Sequence, residues 1–504
     1  MARRKPRRAP VELFEQLPVQ QFRNPFAPLE IISSDELESI HLASLKVLSE
    51  HGLSFTLPEA RAILHTAGAV VVDGSPMVKF DPDLIMESIA KAPSRFVLHA
   101  RNPVHNLNLG DNYITFCTVS SPPNSTDLAR GRRLGTAADF SDFLRLTQMV
   151  NVAQIIGGHP VEPTDIPVPV RHLHTTRSML TLTDKSFRLY SLSRQRVLDV
   201  LEMVRIARNL DDDGLRNEPS VFASINPNSP RHYDDAMLWG MIECAQASQP
   251  LFITPFTLAG AMAPVSLAGA LTLQNAEALA GIAFVQIVRP GTPVVYGGMT
   301  SNIDMRSGSP AFGTPETVKC TLIGGQLARR YGLPYRSSNA NASNAPDVQA
   351  VYESQMSLWA SLLSHANFVF HSFGWLEGGL AASFEKFIID AEMVQGLMEV
   401  LRPVSVTPEE LAVEAIGEVE PGGHFFGNPH TIARFENAFY HPFLSDWRNY
   451  ETWDEGGALD ATHRAQKIYQ SLLKSYDEPP MNPARREALD EFVAHREEQG
   501  GAPL

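Results

Sequence analysis

The sequence predicts an α/β protein built on a (β/α)8 barrel, with an N-terminal helical region and a C-terminal extension. Between residues 109 and 402, short apolar runs alternate with longer amphipathic stretches. Several of these runs are continuously apolar, which is typical of strands that are buried on both faces. Eight strand–helix units in this stretch also agree with the usual size of the fold, about 250 residues.

The predicted strands and helices of the barrel follow from these runs. Strands are expected at residues 113–118, 152–157, 187–192, 220–225, 251–256, 293–297, 333–336 and 367–371. Helices are expected at residues 139–150, 195–209, 233–247, 275–288, 316–331, 348–364 and 384–401. A doubly wound open sheet is the alternative, but its first strand is usually followed by a glycine-rich turn, and residues 116–122 contain no glycine.

Three further regions flank the predicted barrel. Residues 1–30 are basic and then proline-rich, and we expect a disordered arm. Residues 31–108 are predicted to form an N-terminal helical region, with helices that begin at Ser34, near Glu59 and after a capping Asp81. Residues 403–504 are predicted to be a C-terminal helical extension with a helix near Ala461.

Composition limits the class of protein. The 504-residue chain has a formal net charge of −14, which disfavours general nucleic-acid binding. The three cysteines are far apart and odd in number, which indicates a reducing compartment. No apolar segment follows the basic tail as in a secretory signal, and Pro255 and Pro264 interrupt the apolar stretch 251–273. We therefore expect a soluble, cytoplasmic protein that binds neither nucleic acid nor a membrane.

The predicted strand ends carry neutral hydrogen-bonding groups and aromatic rings. In (β/α)8 barrels the chemistry lies at the carboxyl ends of the strands and in the loops that follow them. Paired carboxylates and lysines are scarce at these positions, which disfavours glycoside hydrolysis and Schiff-base chemistry. No CxxC or HExxH spacing is present, so no metal site is predicted.

Two segments supply the candidate substrate-binding residues, and no catalytic residue is identified. The first segment, residues 296–316, is rich in glycine and proline, which predicts an ordered loop after the sixth strand. The second, residues 370–379, follows the eighth strand and is rich in aromatic residues. Their candidates are Tyr296, Ser301, Asn302, Asp304, Arg306 and Phe312 in the first, and His371, Phe373, Trp375 and Glu377 in the second.

Each segment also has a purely structural interpretation. The first can be a structural loop, and a histidine that ends an apolar strand is often a core residue with satisfied hydrogen bonds. Phe373 and Trp375 can simply pack their loop against the barrel. The functional interpretation is that aromatic faces hold a quaternary ammonium group by cation–π attraction, with Glu377 adding charge. In that case His371, Asn302, Ser301 and Arg306 are the donors nearest to a substrate carboxylate.

The same segments resemble the trimethylamine methyltransferase family. The resemblance rests on residues 297–308, 325–334 and 371–379, together with residues 40–48 near the N-terminus. It runs from about residue 35 to residue 475. The resemblance implies a (β/α)8 barrel and methyl transfer from a methylated amine to the corrinoid (cobalamin) of a separate corrinoid-binding protein. No tightly bound cofactor of its own is implied, and we expect a homo-oligomer.

The substrate expected from this resemblance is a quaternary amine. Trimethylamine-specific members of the family carry pyrrolysine, and this chain contains only standard residues. The resemblance is therefore to the branch without pyrrolysine, part of which resembles glycine betaine methyltransferase. A quaternary ammonium releases a neutral amine, so its demethylation needs no general acid, which suits strand ends that lack an acid/base pair.

Two other functions remain open on the sequence alone. A metal-dependent hydrolase on the same fold is one, with His159, Asp304, His371 and Glu377 as its only candidate ligands. A non-catalytic protein that binds quaternary amines is the other. Fold analogy by itself does not decide among these reactions.

Overall fold

The structure is a computed structural model that describes residues 14–502. Its centre is a curled sheet with seven strands that run parallel to one another. We number these strands in chain order: β1 (Tyr113–Phe116), β2 (Phe187–Arg188), β3 (Val221–Ile225), β4 (Leu251–Ile253), β5 (Val294–Gly297), β6 (Tyr335–Ser338) and β7 (Phe368–Phe370).

The spatial order of the strands is that of a sheet wound in one direction. Neighbours along the chain pair from β2 through β7, and β7 pairs back with β1. The two-residue strand Phe22–Arg23 adds to β1 in the antiparallel direction and completes an eight-stranded sheet. Seven of the eight predicted barrel strands are thereby confirmed in place and order. The remaining predicted strand, at residues 152–157, is not a strand in the structure. It forms only isolated bridges, from Ile155 to Cys117 and from Ile156 to Phe187.

Helices follow the strands and cover the outer face of the sheet. All seven helices predicted between residues 109 and 402 are present, with bounds that differ by a few residues at most ends. Val168–Leu182 and Pro483–Glu498 were not predicted. The helices are Ser34–Lys46, Pro58–Thr66, Pro82–Ile89, Ala137–Met149, Val168–Leu182, Arg194–Arg208, Asp212–Asn217, Asp235–Gln246, Leu267–Val288, Pro315–Arg330, Val348–Leu363, Phe384–Val400, Pro408–Leu411, Val413–Glu418, Pro429–Ile432, Tyr450–Glu455, Ala461–Lys474 and Pro483–Glu498.

Side chains alternate between the two faces of each strand, and this alternation defines an inner and an outer core. Phe222, Phe252 and Phe368 belong to a compact apolar cluster on the inner face. Their strand neighbours, such as Val221 and Leu251, belong to the larger core under the helices. This alternation therefore shows which face of the sheet each polar residue on a strand occupies.

A hairpin covers the amino ends of the strands. Strands Arg95–Leu98 and Leu107–Gly110 pair antiparallel, and their leucines join the inner cluster. The chain beside the hairpin bonds to residues just before two strands, from His99 N to Pro219 O and from Asn102 N to Asp184 O. The region 31–108 is thus not purely helical as predicted. Short strands, including Leu53–Phe55 and Met77–Lys79, pair within it, and such brief strands give little periodicity in the sequence.

The disorder predicted for residues 1–30 is wrong for residues 14–30. Phe22 lies in the sheet, and the Asn24 side chain donates to Leu362 O at 2.7 Å. Polar contacts from Gln16 and Gln21 also tie this segment to the sheet region. The basic residues of the predicted arm, 2–8, lie outside the described residues.

The C-terminal extension consists of two unlike parts. Helix Ala461–Lys474 packs on Phe384–Val400, and the last helix is tied down by an ion pair between Arg496 and Asp199. Residues 403–450 instead leave many large apolar side chains exposed. They are Val404, Val406, Leu411, Val413, Ile416, Phe425, Phe426, Ile432, Phe435, Phe439, Trp447 and Tyr450.

One helix has the length and composition of a membrane span. This helix, Leu267–Val288, includes the end of the apolar stretch 251–273, whose earlier residues form β4 and a loop. In its apolar window, 78% of the residues are buried inside the protein. Burial of this kind is typical of a core helix in a large α/β domain.

Candidate active site

Two arginines face the inner side of the sheet near the carboxyl ends of the strands. Arg336, on β6, pairs in register with Gly297 and Phe368, and its side chain is only 2% exposed. Its Nε and Nη1 atoms have no hydrogen-bond partner, although the guanidinium lies 4.9 Å from the ring centroid of Phe370. Burial lowers the pKa of Arg336 to about 10. The group is therefore charged at neutral pH.

Arg188, on β2, is the second inward-facing arginine. It donates to the Ser120 hydroxyl at 2.8 Å, while its buried Nε atom has no partner. Among residues 14–502, neither Arg188 nor Arg336 forms an ion pair with a carboxylate. A buried charge that has lost its partner typically costs about 3–5 kcal/mol, so this arrangement is unfavourable for an empty protein.

His371 lies next to Phe370, the ring against which the Arg336 guanidinium packs. It follows β7 in a left-handed backbone conformation, with φ of 60°, and its Nδ1 atom is buried without a partner. Burial lowers the pKa of His371 well below its usual value, and the positive charges of Arg336 and Arg188 lower it further. The imidazole is therefore neutral at physiological pH and is not an additional cation.

Other polar atoms without partners lie at the same end of the sheet. They include Thr254 Oγ1 after β4, Ser338 Oγ on β6 and Asn339 Oδ1 just beyond it. Buried polar atoms are nearly always hydrogen-bonded, so a group of unpaired ones at one end of a sheet indicates a site for a polar ligand. The strand ends approach each other closely here, since a Cβ atom at Gly297 would lie 2.2 Å from Thr254 Oγ1.

A buried ion pair in the following helix supports the loop that carries His371 and Trp375. Gly374 N donates to Asp390 at 2.8 Å, and Asp390 pairs with Lys386 one helical turn away. Lys386 also donates to Ser354 Oγ at 2.9 Å, and both charged side chains are fully buried. These bonds fix the loop in one position before any ligand arrives.

Aromatic rings form a continuous group above His371. The Trp375 ring centroid lies 4.2 Å from that of His371 and 6.2 Å from that of Phe312. Phe312 in turn lies 6.2 Å from Phe256. Trp375 Nε1 donates to Asn341 O at 2.9 Å, which orients the indole. Of the predicted site residues, the structure thus brings together His371, Trp375 and Phe312.

Two predicted aromatic residues lie in the outer core instead. The Tyr296 hydroxyl donates to Asn275 Oδ1 at 3.0 Å, on the helix that covers the sheet. The Phe373 ring packs on Phe387, also in a covering helix. Tyr296 is flanked on β5 by inward-facing positions and so points outward.

The polar candidates after β5 are engaged within their own loop. Ser301 contacts Thr317 Oγ1 at 2.7 Å, and Asn302 accepts from Thr314 Oγ1 at 3.2 Å. Asp304 is exposed and accepts from Ser307 Oγ at 2.7 Å, and these local hydrogen bonds lower its pKa. Arg306 is exposed at the loop tip.

Glu377 is already hydrogen-bonded to an arginine. Both of its carboxylate oxygens accept from Arg132 Nε, at 2.9 and 3.0 Å. Because Arg132 partly neutralises this carboxylate, Glu377 attracts a bound cation less strongly than the sequence alone suggested.

The candidate metal ligands are not brought together. Within residues 14–502, no group of three or more histidine, cysteine, aspartate or glutamate side chains is placed to hold a metal ion. His159 bonds to Glu162 and Thr175, both at 3.0 Å, while Asp304 and Glu377 bond as described above.

Comparisons with known proteins agree with this architecture. The chain resembles crystal structures of the Methanosarcina barkeri monomethylamine methyltransferase and of the hydroxylamine MtmB complex, each with a TM-score of 0.52 over 92% of this chain and 88% of the other. At 11 and 12% identity, these similarities concern the fold alone.

Sequence relatives are closer. The chain is 36% identical to a glycine betaine methyltransferase from Desulfitobacterium hafniense strain Y51, over 94% of this chain and 98% of that enzyme. It is 29% identical to the trimethylamine methyltransferase MttB of D. hafniense strain DSM 10664 / DCB-2, over 93% of this chain and 94% of that one. The fold and these relatives define an enzyme of the methyltransferase class.

A family model described as trimethylamine methyltransferase (MTTB) matches residues 1–501. The chain belongs to the trimethylamine methyltransferase family, which confirms the resemblance seen in the sequence.

Proposed function

We propose that this methyltransferase takes a methyl group from a quaternary ammonium compound of the betaine type and transfers it to the cobalt of a corrinoid held by a separate protein. The observation that carries the proposal is the group of three contiguous rings, His371, Trp375 and Phe312, at the carboxyl ends of the strands. Aromatic faces attract quaternary ammonium groups, and the attraction is about 2 kcal/mol or more where water is excluded.

The chemistry agrees with the polar groups that are present. When a C–N bond of a quaternary ammonium breaks, its electron pair stays on nitrogen and yields a neutral tertiary amine, so no proton is needed. The methyl group leaves as a formal cation and takes its new bonding pair from cobalt(I). The described carboxylates Glu377 and Asp304 are already hydrogen-bonded, and His371 is neutral. The protein then acts by holding the C–N bond in line with the acceptor.

The relatives support a quaternary substrate. The relative with 36% identity is a glycine betaine methyltransferase, and the trimethylamine methyltransferases lie at 29% identity or below. The chain contains only standard residues, whereas trimethylamine-specific members of the family carry pyrrolysine.

The sheet is proposed to close into a (β/α)8 barrel in which residues 155–156 act as the eighth strand. The support is a set of backbone hydrogen bonds on both sides of this segment. Thr118 N donates to Ile155 O at 3.1 Å, and Arg188 N donates to Ile156 O at 2.9 Å. With one end of the barrel covered by the hairpin 95–110, the corrinoid partner docks at the other end.

Two broader expectations belong to the same proposal. Association of copies is supported by the exposed apolar side chains of residues 403–450, because exposed apolar patches of this kind usually mark interfaces. A cytoplasmic location is supported by three free, buried cysteines. Light scattering of the intact protein, compared with a variant in which Phe426, Phe439 and Trp447 are serine, tests the first; a monomer in both contradicts it.

Methyl transfer is tested directly with reduced cobalamin under anaerobic conditions. We expect methylcobalamin to form with at least one betaine and the demethylated tertiary amine to appear in equal amount. Trimethylamine is the matched negative substrate. Transfer from trimethylamine and from no quaternary amine contradicts the proposal.

A further inference from the structure

Two arginines that form no ion pair among residues 14–502 lie inside the same sheet, although, against the lowering effect of burial, the negative charge of Glu162 raises the pKa of Arg188 from a distance. Arg336 is fully buried with two unpaired nitrogen atoms, and Arg188 has a third. Phe222, the register partner of Arg188, lies 6.1 Å from the ring of Phe370, which in turn lies 4.9 Å from the Arg336 guanidinium. Besides burial, the positive charge of Arg188 also lowers the pKa of Arg336. An anion placed between them removes both the repulsion and the unmet hydrogen bonds.

The surroundings are those of a carboxylate site. A guanidinium presents parallel N–H groups that match the two oxygens of a carboxylate, and such bonds are about twice as strong as neutral ones. Ser338 Oγ on β6 and Thr254 Oγ1 after β4 add unpaired hydroxyl groups on either side of β5. Phe370 packs against the Arg336 guanidinium at 4.9 Å.

We propose that Arg336 and Arg188 bind the carboxylate of the methyl donor inside the barrel, with its quaternary ammonium directed toward Trp375. The proposal rests on the proposed function and assigns the groups that bind the carboxylate of a betaine. His371 connects the two halves of the site, since its ring centroid lies 4.5 Å from that of Phe370, which packs on Arg336, and 4.2 Å from that of Trp375. Its neutral ring separates the anion from the cation without adding charge.

This arrangement also predicts which amines bind poorly. A cation without a carboxylate, such as choline or trimethylammonium, brings a third positive charge next to two unpaired arginines. Like charges in a water-poor site repel strongly. Arg306, the arginine that the sequence suggested for this role, is exposed at a loop tip, where a charged contact is weakened by water.

Calorimetric binding to the intact protein is the first test. The probes are betaines with one to three methylene groups between ammonium and carboxylate, choline as the cation without an acid, and 3,3-dimethylbutanoate as the acid without a cation. We expect at least one betaine to bind more than about 100-fold more tightly than choline, and 3,3-dimethylbutanoate to bind measurably. Choline binding equal to that of every betaine overturns the proposal.

Substitutions then assign the site. Arg336→Gln and Arg188→Gln are each expected to weaken betaine binding by about 100-fold, while Arg336→Lys, which keeps the charge but loses the two-pronged donor, weakens it by about 10-fold. Arg289→Gln is the control, because Arg289 is exposed at a helix end away from the inner face. The melting temperature of Arg336→Gln should equal or exceed that of the wild type, since an unpaired buried charge has been removed.

The outcomes separate the two proposals. Unchanged betaine binding in folded Arg336→Gln and Arg188→Gln proteins overturns the carboxylate site. Methyl transfer from choline but from no betaine overturns it as well and leaves quaternary-amine transfer intact. Arginine-dependent betaine binding without methyl transfer to reduced cobalamin supports the site and contradicts the proposed function.

Discussion

The two ends of the curled sheet differ in the polarity of their buried side chains. At the amino ends of the strands, Leu98, Leu107 and Leu109 of the hairpin pack on the inner phenylalanines, and the contacts are apolar. At the carboxyl ends, Arg336 and His371 keep buried polar atoms without partners. The first end stabilises the protein, and the second holds groups that are unfavourable until a ligand arrives. Natural proteins depart from full polar satisfaction mainly at functional sites, and Arg188, Thr254, Arg336 and His371 all carry such unpaired atoms at this end.

The largest effect is expected from the buried pair beneath the carboxyl end. In Lys386→Met, the buried Asp390 loses its cation, and the free energy of unfolding should fall by about 3–5 kcal/mol. Chemical denaturation measures this change. Adding Asp390→Asn should restore much of the loss, because the remaining amide is neutral and still accepts from Gly374 N. A single variant as stable as the wild type would mean that the pair is not buried in solution.

At the amino end, Leu109→Ala tests the packing of the hairpin leucines on the inner phenylalanines. Leu109 is almost fully buried, so its truncation should lower the free energy of unfolding by about 2–5 kcal/mol and leave betaine affinity unchanged. Leu198→Ala is the control, since Leu198 is 41% exposed and should change stability by less than about 0.5 kcal/mol. A tenfold loss of betaine affinity in folded Leu109→Ala would contradict the assignment of stability to one end and of binding to the other.

A smaller effect is expected for Trp375→Phe. The ring remains, but a phenyl face attracts cations less than an indole, and Asn341 O loses its donor. We expect betaine affinity to fall by about 5-fold with little change in the melting temperature. Trp375→Ala is less informative, because this side chain is only 6% exposed and its loss leaves a cavity. Unchanged affinity in Trp375→Phe would assign the indole to packing.

The pH dependence of binding should be nearly flat near neutrality. Burial, with Arg336 and Arg188, holds the pKa of His371 well below its ordinary value of about 6.5, so the ring is neutral in the free enzyme from about pH 6 to pH 8. If a protonated His371 bound the carboxylate, affinity would fall as the pH rises through about 6.5. Affinity should instead fall only near pH 10, the pKa of Arg336. A tenfold decrease between pH 6 and pH 8 would show that the histidine carries charge.

The smallest effect is expected from metal removal. The described residues contain no group of ligands for a metal ion, so chelation and dialysis should leave betaine binding and methyl transfer unchanged. Transfer that is lost on chelation and restored by zinc alone would contradict this expectation and revive the hydrolase-type alternative.

The sequence was informative where a strand is buried on both faces. The runs at β4, β5 and β7 are apolar because helices cover one side and the inner cluster fills the other. The run at residues 152–157 predicted a strand in the same way, but only Ile155 and Ile156 form bridges in the structure. The hairpin 95–110 was missed because its strands are only four residues long.

The site was only partly predictable, although one signal was available. His371, Trp375 and Phe312 follow from their positions after strands. Tyr296 was assigned to the site although it alternates with inward-facing Val295 and Gly297. The same alternation identifies Arg336, between outward-facing Tyr335 and Ser337, as a charge directed inward. A charged residue inside a strand buried on both faces was a stronger indication than the polar residues of the loops.

The hairpin that covers the amino ends of the strands implies an order for the proposed reaction. In a closed barrel with a corrinoid protein as the methyl acceptor, both as proposed, the amine and that protein use the opposite opening. The amine site then lies deeper, so the amine has to enter first, and its demethylated product stays bound until the corrinoid protein departs. Under the proposal, excess corrinoid protein should inhibit the enzyme by covering the open end before the amine enters.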